Sequence, residues 1–301
     1  MSKKWFGPLL VAIGSMMWAT DALFRLPLVQ KQIDPTVLVY LDHLLVCLVM
    51  VPWMLLAKRK AFFKISFTQF MALLLIGGGA SGLATVFFTA SFKYINPSVA
   101  ILLQKLQPIV VVTLAALFLK ERPGKSFLVW SPVALIAGIW LSFPNFKFDF
   151  VSGLDLQSKG ALLALSAAGL WALGTVIGRA VLLKLDPLVV TTWRFIFGFL
   201  VLGFLLLSSG TPISYNDLKD PPVLSALIYM AFFPGLLAII FYYYGMARTL
   251  ASTTTFLELL FPVSAVIINT VFLNTPLSTS EIAASVVLLV SVSQITKNNT
   301  T

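Results

Sequence analysis

The chain has 301 residues, 59% hydrophobic and 11% charged, with a net charge of +10. A soluble domain carries about 25% charged residues, so a soluble fold is excluded, and apolar blocks close to 20 residues long point to an all-α polytopic membrane protein rather than an alternating-pattern barrel. The basic residues stand at the ends of apolar blocks, as positive-inside topology requires, so no nucleic-acid partner is expected.

Ten spans are predicted, roughly over 7–29, 35–57, 68–92, 97–119, 126–143, 160–183, 187–208, 222–245, 251–273 and 279–296. The first follows Met1–Lys4 and reads as a helix that is retained rather than a cleaved leader. The longest connections, Pro144 to Lys159 and Ser209 to Pro221, hold no soluble domain. Lys3 and Lys4, the cluster Lys58, Arg59, Lys60 and Lys64, then Lys120, Arg122 and Lys125, Lys184, Arg248 and Lys297 all fall on one side of a ten-span chain. That side is expected to be cytoplasmic and to hold both termini. Cys47 and His43 are the only residues of their kind, which leaves no intramolecular disulfide and no multi-histidine metal site; no metal, cofactor or catalytic group is expected.

The chain is also duplicated. Residues 14–46, GSMMWATDALFRLPLVQKQIDPTVLVYLDHLLV, match 166–198, SAAGLWALGTVIGRAVLLKLDPLVVTTWRFIFG. Trp18 aligns with Trp171, and Asp34–Pro35 with Asp186–Pro187. Further on, the stretch around Gln104 and Pro108 recurs around Glu258 and Pro262. The halves, residues 1–145 and 157–301, would each hold five spans. Five is odd, so the halves would enter the membrane from opposite sides as two inverted-topology five-helix repeats.

Trp18–Ala19 and Trp171–Ala172, the two Asp–Pro turns, Pro108 and Pro262, and the loop Lys120–Glu121–Arg122–Pro123 together resemble the EamA branch of the drug/metabolite transporter superfamily. The resemblance covers nearly the whole chain. It implies a ten-helix transporter with a central cavity lined mainly by helices one, three, four, six, eight and nine, and with helices five and ten at the periphery. Two departures stand out. The family's helix-two triplet survives as Trp193–Arg194–Phe195 in the second half but reads Leu41–Asp42–His43 in the first, and the second half replaces the Lys-Glu-Arg-Pro loop with Asn274–Thr275–Pro276.

Polar groups inside apolar spans are costly and are functional candidates. Asp21, Asp42, His43, Gln104 and Lys105 all lie roughly 11 Å from the outer ends of their helices at 1.5 Å per residue. Arg194 and Glu258 lie about as deep from the inner ends, so two polar layers would straddle the midplane. Pro108 and Pro262 each remove a backbone donor and break the helix, with Gln104 and Glu258 one turn earlier on the same face. Either the freed carbonyls face a cavity, or neighbouring helices satisfy a plain kink. Lys105 either recognises an anionic group of a substrate or pairs with Asp21 or Asp42. Glu258 is a proton carrier, a contact for a substrate amine, or the partner of Arg194 or Lys105. Asp42 and His43, being adjacent, point to different faces. Asp42 is expected to pair with Arg25 or Lys105 in a structural role, and Arg194 to make a structural contact near the cytoplasmic gate. His43 is either a proton relay, as Asp21 also is, or a histidine bonded to a neighbour. Trp18, Trp171 and one of Tyr242, Tyr243 and Tyr244, taken as Tyr243, are candidates to stack on a substrate, against the alternative of packing. Gly77, Gly78, Gly79 and Gly82 form either a hinge or a close helix contact.

The expected activity is secondary active transport of small organic metabolites across the inner membrane by alternating access. Amino acids or related zwitterions are the first cargo considered, with efflux the direction the resemblance implies and protons a possible coupling ion. No P-loop is present, and no loop is long enough for a nucleotide domain. The alternatives are a multidrug exporter with a mainly aromatic cavity, a passive facilitator or channel, and a membrane enzyme using Asp21, Asp42 and His43. Whether the chain acts as a monomer or a homodimer is left open.

Overall fold

A computed structural model describes residues 3–95, 100, 103–104, 106–122, 124–142, 154–213, 219–261, 263–264, 267–268 and 279–298. Every regular element among the described residues is helical. Six helices or helix stacks are long and apolar enough to cross a membrane: Trp5–Gln30, Pro35–Ala57, Phe67–Ser91, Lys159–Leu182, Pro187–Ser209 and Pro221–Met246. Three further apolar helices, Gln107–Phe118, Lys125–Gly138 and Ile282–Ile295, are shorter. The outward faces stay apolar, with Leu56 89% and Leu207 85% exposed. A surface of this kind needs hydrocarbon against it.

The first span is not the single helix expected from its hydropathy. It divides into α1 (Lys3–Trp18) and α2 (Asp21–Gln30). The chain tightens between them as Ala19 N–H and Thr20 N–H donate to Met16 and Met17 three residues back. The Thr20 hydroxyl reinforces the turn by donating to the Met17 carbonyl at 2.9 Å, a local bond that competes with the helical ladder.

The second span, α3 (Pro35–Ala57), starts at the first Asp–Pro turn. Asp34 is its N-cap, with φ −64° and ψ 132°, and its carboxylate accepts from Thr36 N–H at 2.8 Å. The second copy repeats this geometry. Asp186 has φ −61° and ψ 132° and accepts from Leu188 N–H at 2.8 Å. Proline follows each cap at a position whose missing N–H costs nothing. A short helix, α4 (Arg59–Phe63), then turns along the end of the bundle. Phe62 stacks on Trp193 with ring centroids 4.8 Å apart, and the indole N–H donates to the Phe62 carbonyl at 3.0 Å.

The third span is α5 (Phe67–Leu74), a π-helical segment Leu75–Leu83, and α6 (Ala84–Ser91). A capping box of Ser66 and Gln69 starts it. The fourth is described as α7 (Gln107–Phe118), in which Pro108 occupies the first turn. The proline therefore opens a new helix rather than kinking a continuous one. Next come α8 (Lys125–Ser142), α9 (Leu154–Leu182) and α10 (Pro187–Ser209), the last ended by Gly210 in the left-handed conformation at φ +64°. The eighth span again holds a π-helical segment, Ala231–Leu237, between α11 (Pro221–Met230) and α12 (Ala238–Met246). Pro234 within it lacks the N–H that a regular helix would use. The last elements are α13 (Ala251–Leu257), which ends at a turn containing Glu258, and α14 (Thr279–Asn298). Pro262 lies outside the described residues.

The packing maps onto itself when the two halves are exchanged. α1 packs on α12, and its counterpart α9 packs on α6; α3 packs on α10, α7 on α13, and α8 on α14. The contact of α10 with segment 75–83 is very close. A Cβ on Gly77 would come within 3.0 Å of the Arg194 carbonyl and of Phe197 Cβ, so only glycine fits there. This is the close-contact reading of the glycine run, and it falls within a π-helical segment, a feature common at functional sites. Across the halves, Glu121 of the Lys-Glu-Arg-Pro loop accepts from Ala251 N–H at 2.8 Å, Ser252 N–H at 3.0 Å and the Ser252 hydroxyl at 2.6 Å.

Candidate functional site

Five helical segments meet at one cluster. Tyr242, on α12, donates its hydroxyl proton to Glu258 Oε1 at 2.6 Å. Gln107, the first residue of α7, donates from its amide to Glu258 Oε2 at 3.0 Å. Trp18, at the end of α1, lies against the Tyr242 ring with centroids 5.0 Å apart. Thr175 Oγ1, on α9, stands 3.4 Å from the Tyr242 hydroxyl and donates to the Trp171 carbonyl at 3.1 Å. The carboxylate sits where the ninth span interrupts its helix after Leu257, and α7 begins at the residue that meets it. Two interrupted helices thus place polar side chains and an aromatic face together, where backbone carbonyls and amides are also released from the helical ladder.

A second chain of bonds runs beside it. His43 Nδ1 lies 2.7 Å from the Val39 carbonyl, which can only accept, so Nδ1 carries the proton. His43 Nε2, 2.9 Å from Ser81 Oγ, then accepts the serine proton, and Ser81 Oγ accepts in turn from Arg194 Nε at 3.0 Å. Arg194 Nη1 donates to the Tyr243 hydroxyl at 2.8 Å. The neutral imidazole satisfies every bond in this series. Ser81 belongs to the π-helical segment of the third span, so that segment joins the histidine of α3 to the arginine of α10.

The third group is an ion triad. Arg25 bridges Asp21, at 2.5 Å from Nε to Oδ2 and 2.9 Å from Nη2 to Oδ1, and Asp42, at 2.9 Å from Nη2 to Oδ2. The Arg25 and Asp42 side chains are about nine-tenths buried. Buried charges persist only in such pairs.

The sequence-predicted residues divide among these groups. Trp18 and Glu258 meet directly around Tyr242. Asp21 and Asp42 are joined through Arg25, one of the two partners expected for Asp42. His43 is buried and faces Ser81 and Arg194, away from Asp42, so the outer layer splits in two and one branch reaches Arg194. Arg194 bonds Ser81 and Tyr243 rather than Glu258. Trp171 lies against Phe88 at 5.2 Å, in the register of the Trp18–Tyr242 pair in the other half. Tyr243 is fully buried on Arg194, and the tyrosine at Trp18 and Glu258 is Tyr242. Gln104 is half-buried, and the amide that meets Glu258 is Gln107, three residues on. Lys105 lies outside the described residues. Ser81 and Thr175 carry no signal in the sequence; Gln107 belongs to the polar run that ends at Pro108, and Tyr242 is one of the three consecutive tyrosines, of which Tyr243 is the one expected. Among the described residues, no group of three His, Cys, Asp or Glu side chains stands together as metal ligands would.

Six apolar membrane-length helices, interrupted helices and an apolar outer belt make this a multi-pass membrane protein. The EamA-like transporter family model matches the chain twice, over residues 5–143 and 158–296, and the chain belongs to that family. It is 30% identical to the riboflavin transporter ImpX of Fusobacterium nucleatum subsp. nucleatum, over 97% of this chain and 98% of that protein. It is 27% identical to the uncharacterized transporter YyaM of Bacillus subtilis, over 71% of this chain and 68% of that one. A solved crystal structure superposes over 96% of this chain and 94% of its own with a TM-score of 0.78 at 17% identity, a likeness of fold.

Proposed function

We propose that the protein is a gradient-driven transporter that carries a small, planar, polar organic metabolite of the riboflavin kind by alternating access. In this reading the chain forms ten transmembrane helices as two inverted repeats, residues 1–145 and 157–301, in the inner membrane with both termini cytoplasmic. The symmetric contact pattern and the matched Asp–Pro caps support the repeats. The end-to-end similarity to a riboflavin transporter supports the cargo.

The observation that carries the reading is the Trp18–Tyr242–Glu258–Gln107 cluster, gathered from both halves. It offers an aromatic face beside a carboxylate and an amide, which suits a flat heterocycle with polar edges. A zwitterionic amino acid needs an available cation for its carboxylate. The charge of Arg25 is already met by two carboxylates and Arg194 is bonded to Ser81 and Tyr243, so Lys105 is the cation that would serve an amino-acid cargo. Glu258 is the candidate for proton coupling, because a carboxyl at the substrate centre can exchange a proton for a ligand contact.

The test is uptake into proteoliposomes of radiolabelled riboflavin, an amino-acid panel and a cationic dye, with and without a pH gradient. Saturable riboflavin flux that the gradient alters, and that Glu258→Gln uncouples from the gradient, is expected. Flux of the dye or of amino acids in place of riboflavin overturns the cargo. Flux that does not saturate points to a channel.

A further inference from the structure

The Asp21–Arg25–Asp42 triad leaves two buried atoms without a partner, Arg25 Nη1 and Asp42 Oδ1. Their positions follow from the planar guanidinium, which presents five N–H groups in a fixed fork. Asp21 takes the side edge, bonding Nε and one hydrogen of Nη2. The remaining Nη2 hydrogen, on the end edge shared with Nη1, goes to Asp42 Oδ2. A carboxylate at that edge commonly binds both nitrogens. Here it binds one, which leaves a donor, Nη1, and an acceptor, Oδ1, open on the two partners of one ion pair.

A donor or acceptor left unsatisfied in a buried place is costly, so the arrangement favours an incoming group that meets both. Such a group must carry an acceptor and a donor on adjacent atoms in one plane. A cis-amide or imide, –CO–NH–, does so; an ammonium or a carboxylate alone does not. We propose that Arg25 Nη1 and Asp42 Oδ1 form a subsite for the amide or imide edge of the transported molecule, with the guanidinium donating to its carbonyl and the carboxylate accepting from its N–H.

One further feature fits this role. Asp21 and Arg25 stand one turn apart on the same face of α2. A cleft of about 280 Å³ lies along α3 from Asp34 to Leu41, with Ile33, Val37 and Leu227 in its walls. Leu38 in that wall precedes Asp42 by one turn of α3. The two atoms are closed off in this conformation, so the proposed subsite requires the ends of α2 and α3 to separate.

The inference rests on the proposed flavin cargo, whose ring system ends in an imide, and the test separates the two. Full-length protein in detergent is titrated with riboflavin and with 3-methylriboflavin, which lacks the imide N–H, following quenching of flavin fluorescence. The wild type is expected to bind the methylated compound at least about tenfold more weakly. In Asp42→Asn the amide oxygen must face Arg25, which turns an N–H₂ toward the ligand. Riboflavin affinity should then fall by about tenfold and the preference shrink to within about threefold. Arg25→Lys keeps the charge but not the fork and should lose the preference likewise. Equal binding of the two flavins by the wild type, or a preference kept in Asp42→Asn, overturns the subsite and leaves the cargo standing. This ligand comparison needs no variant, so it decides the matter even if Asp42→Asn does not fold. Absence of riboflavin binding overturns the cargo, and the subsite with it.

Discussion

Tyr242 of α12 and Glu258, in the turn that ends α13, are held together by a 2.6 Å hydrogen bond. The other half has no such bond to offer. Phe88 stands to Tyr242 as Pro108 stands to Pro262 in the duplicated register, and it has no hydroxyl; Gln104 stands in the place of Glu258. The two halves share an aromatic pair, and only the second adds a carboxylate and its donor.

Tyr242→Phe makes the second half like the first. The ring contact with Trp18 survives and the bond to the carboxylate is lost. A hydrogen bond to a charged group contributes about 1.5–3 kcal/mol. The bond lies within the protein, so the melting temperature in detergent should fall by a few degrees, and apparent affinity for cargo in proteoliposome uptake should fall by about tenfold. Unaltered affinity would remove Tyr242 from the site.

Gly77→Ala forces a methyl group into the backbone of α10. Main chain cannot yield as a side-chain tip can, so the third and seventh spans must part. Overpacking costs of about 1–3 kcal/mol are typical. The variant should melt several degrees lower in detergent and transport poorly, whereas Gly79→Ala, with only Leu170 Cδ2 nearby at 3.7 Å, should be tolerated.

The two Asp–Pro caps should respond alike. Asp34→Ala and Asp186→Ala each remove one N-cap bond, worth about 1 kcal/mol. Asp186 also pairs with Lys58 at 2.6 Å, but both side chains are a third exposed, and a pair of that kind adds little. Thermal shifts of nearly equal size in the two variants are expected; a much larger shift for Asp186→Ala would show the ion pair to matter.

Glu121→Gln tests the clamp between the halves. One carboxylate accepts three bonds at the start of α13, and an amide offers a single acceptor oxygen. A loss of about 1–3 kcal/mol in stability is expected, measured by thermal unfolding in detergent. No change would mean that the loop does not hold α13.

Much of this arrangement could be read from the residues. The Asp34–Pro35 and Asp186–Pro187 turns carry their geometry locally, because an aspartate cap followed by proline suits one backbone conformation. The cost of a buried charge pointed to a cation beside Asp42, either Arg25 or Lys105, and Arg25 is the one bonded to it. The choice of Tyr242 over Tyr243 did not follow. Successive residues differ by 100° around a helix, and the rotation of α12 is set by its contact with α1, where a Cβ on Gly14 would meet the Ala238 carbonyl at 2.7 Å. The π-helical segments had no local signature beyond glycine and proline. They matter because Ser81 in one of them links His43 to Arg194, which depth along separate helices had placed in different layers.

The most direct test of the account is counterflow. Proteoliposomes are loaded with unlabelled riboflavin, diluted into trace radiolabelled riboflavin, and compared with Trp18→Ala and Glu258→Gln vesicles. An alternating-access carrier should show transient accumulation of label above equilibrium in the wild type, sharply reduced in Trp18→Ala. Label that only equilibrates in the wild type, without overshoot, would contradict a carrier built around this centre.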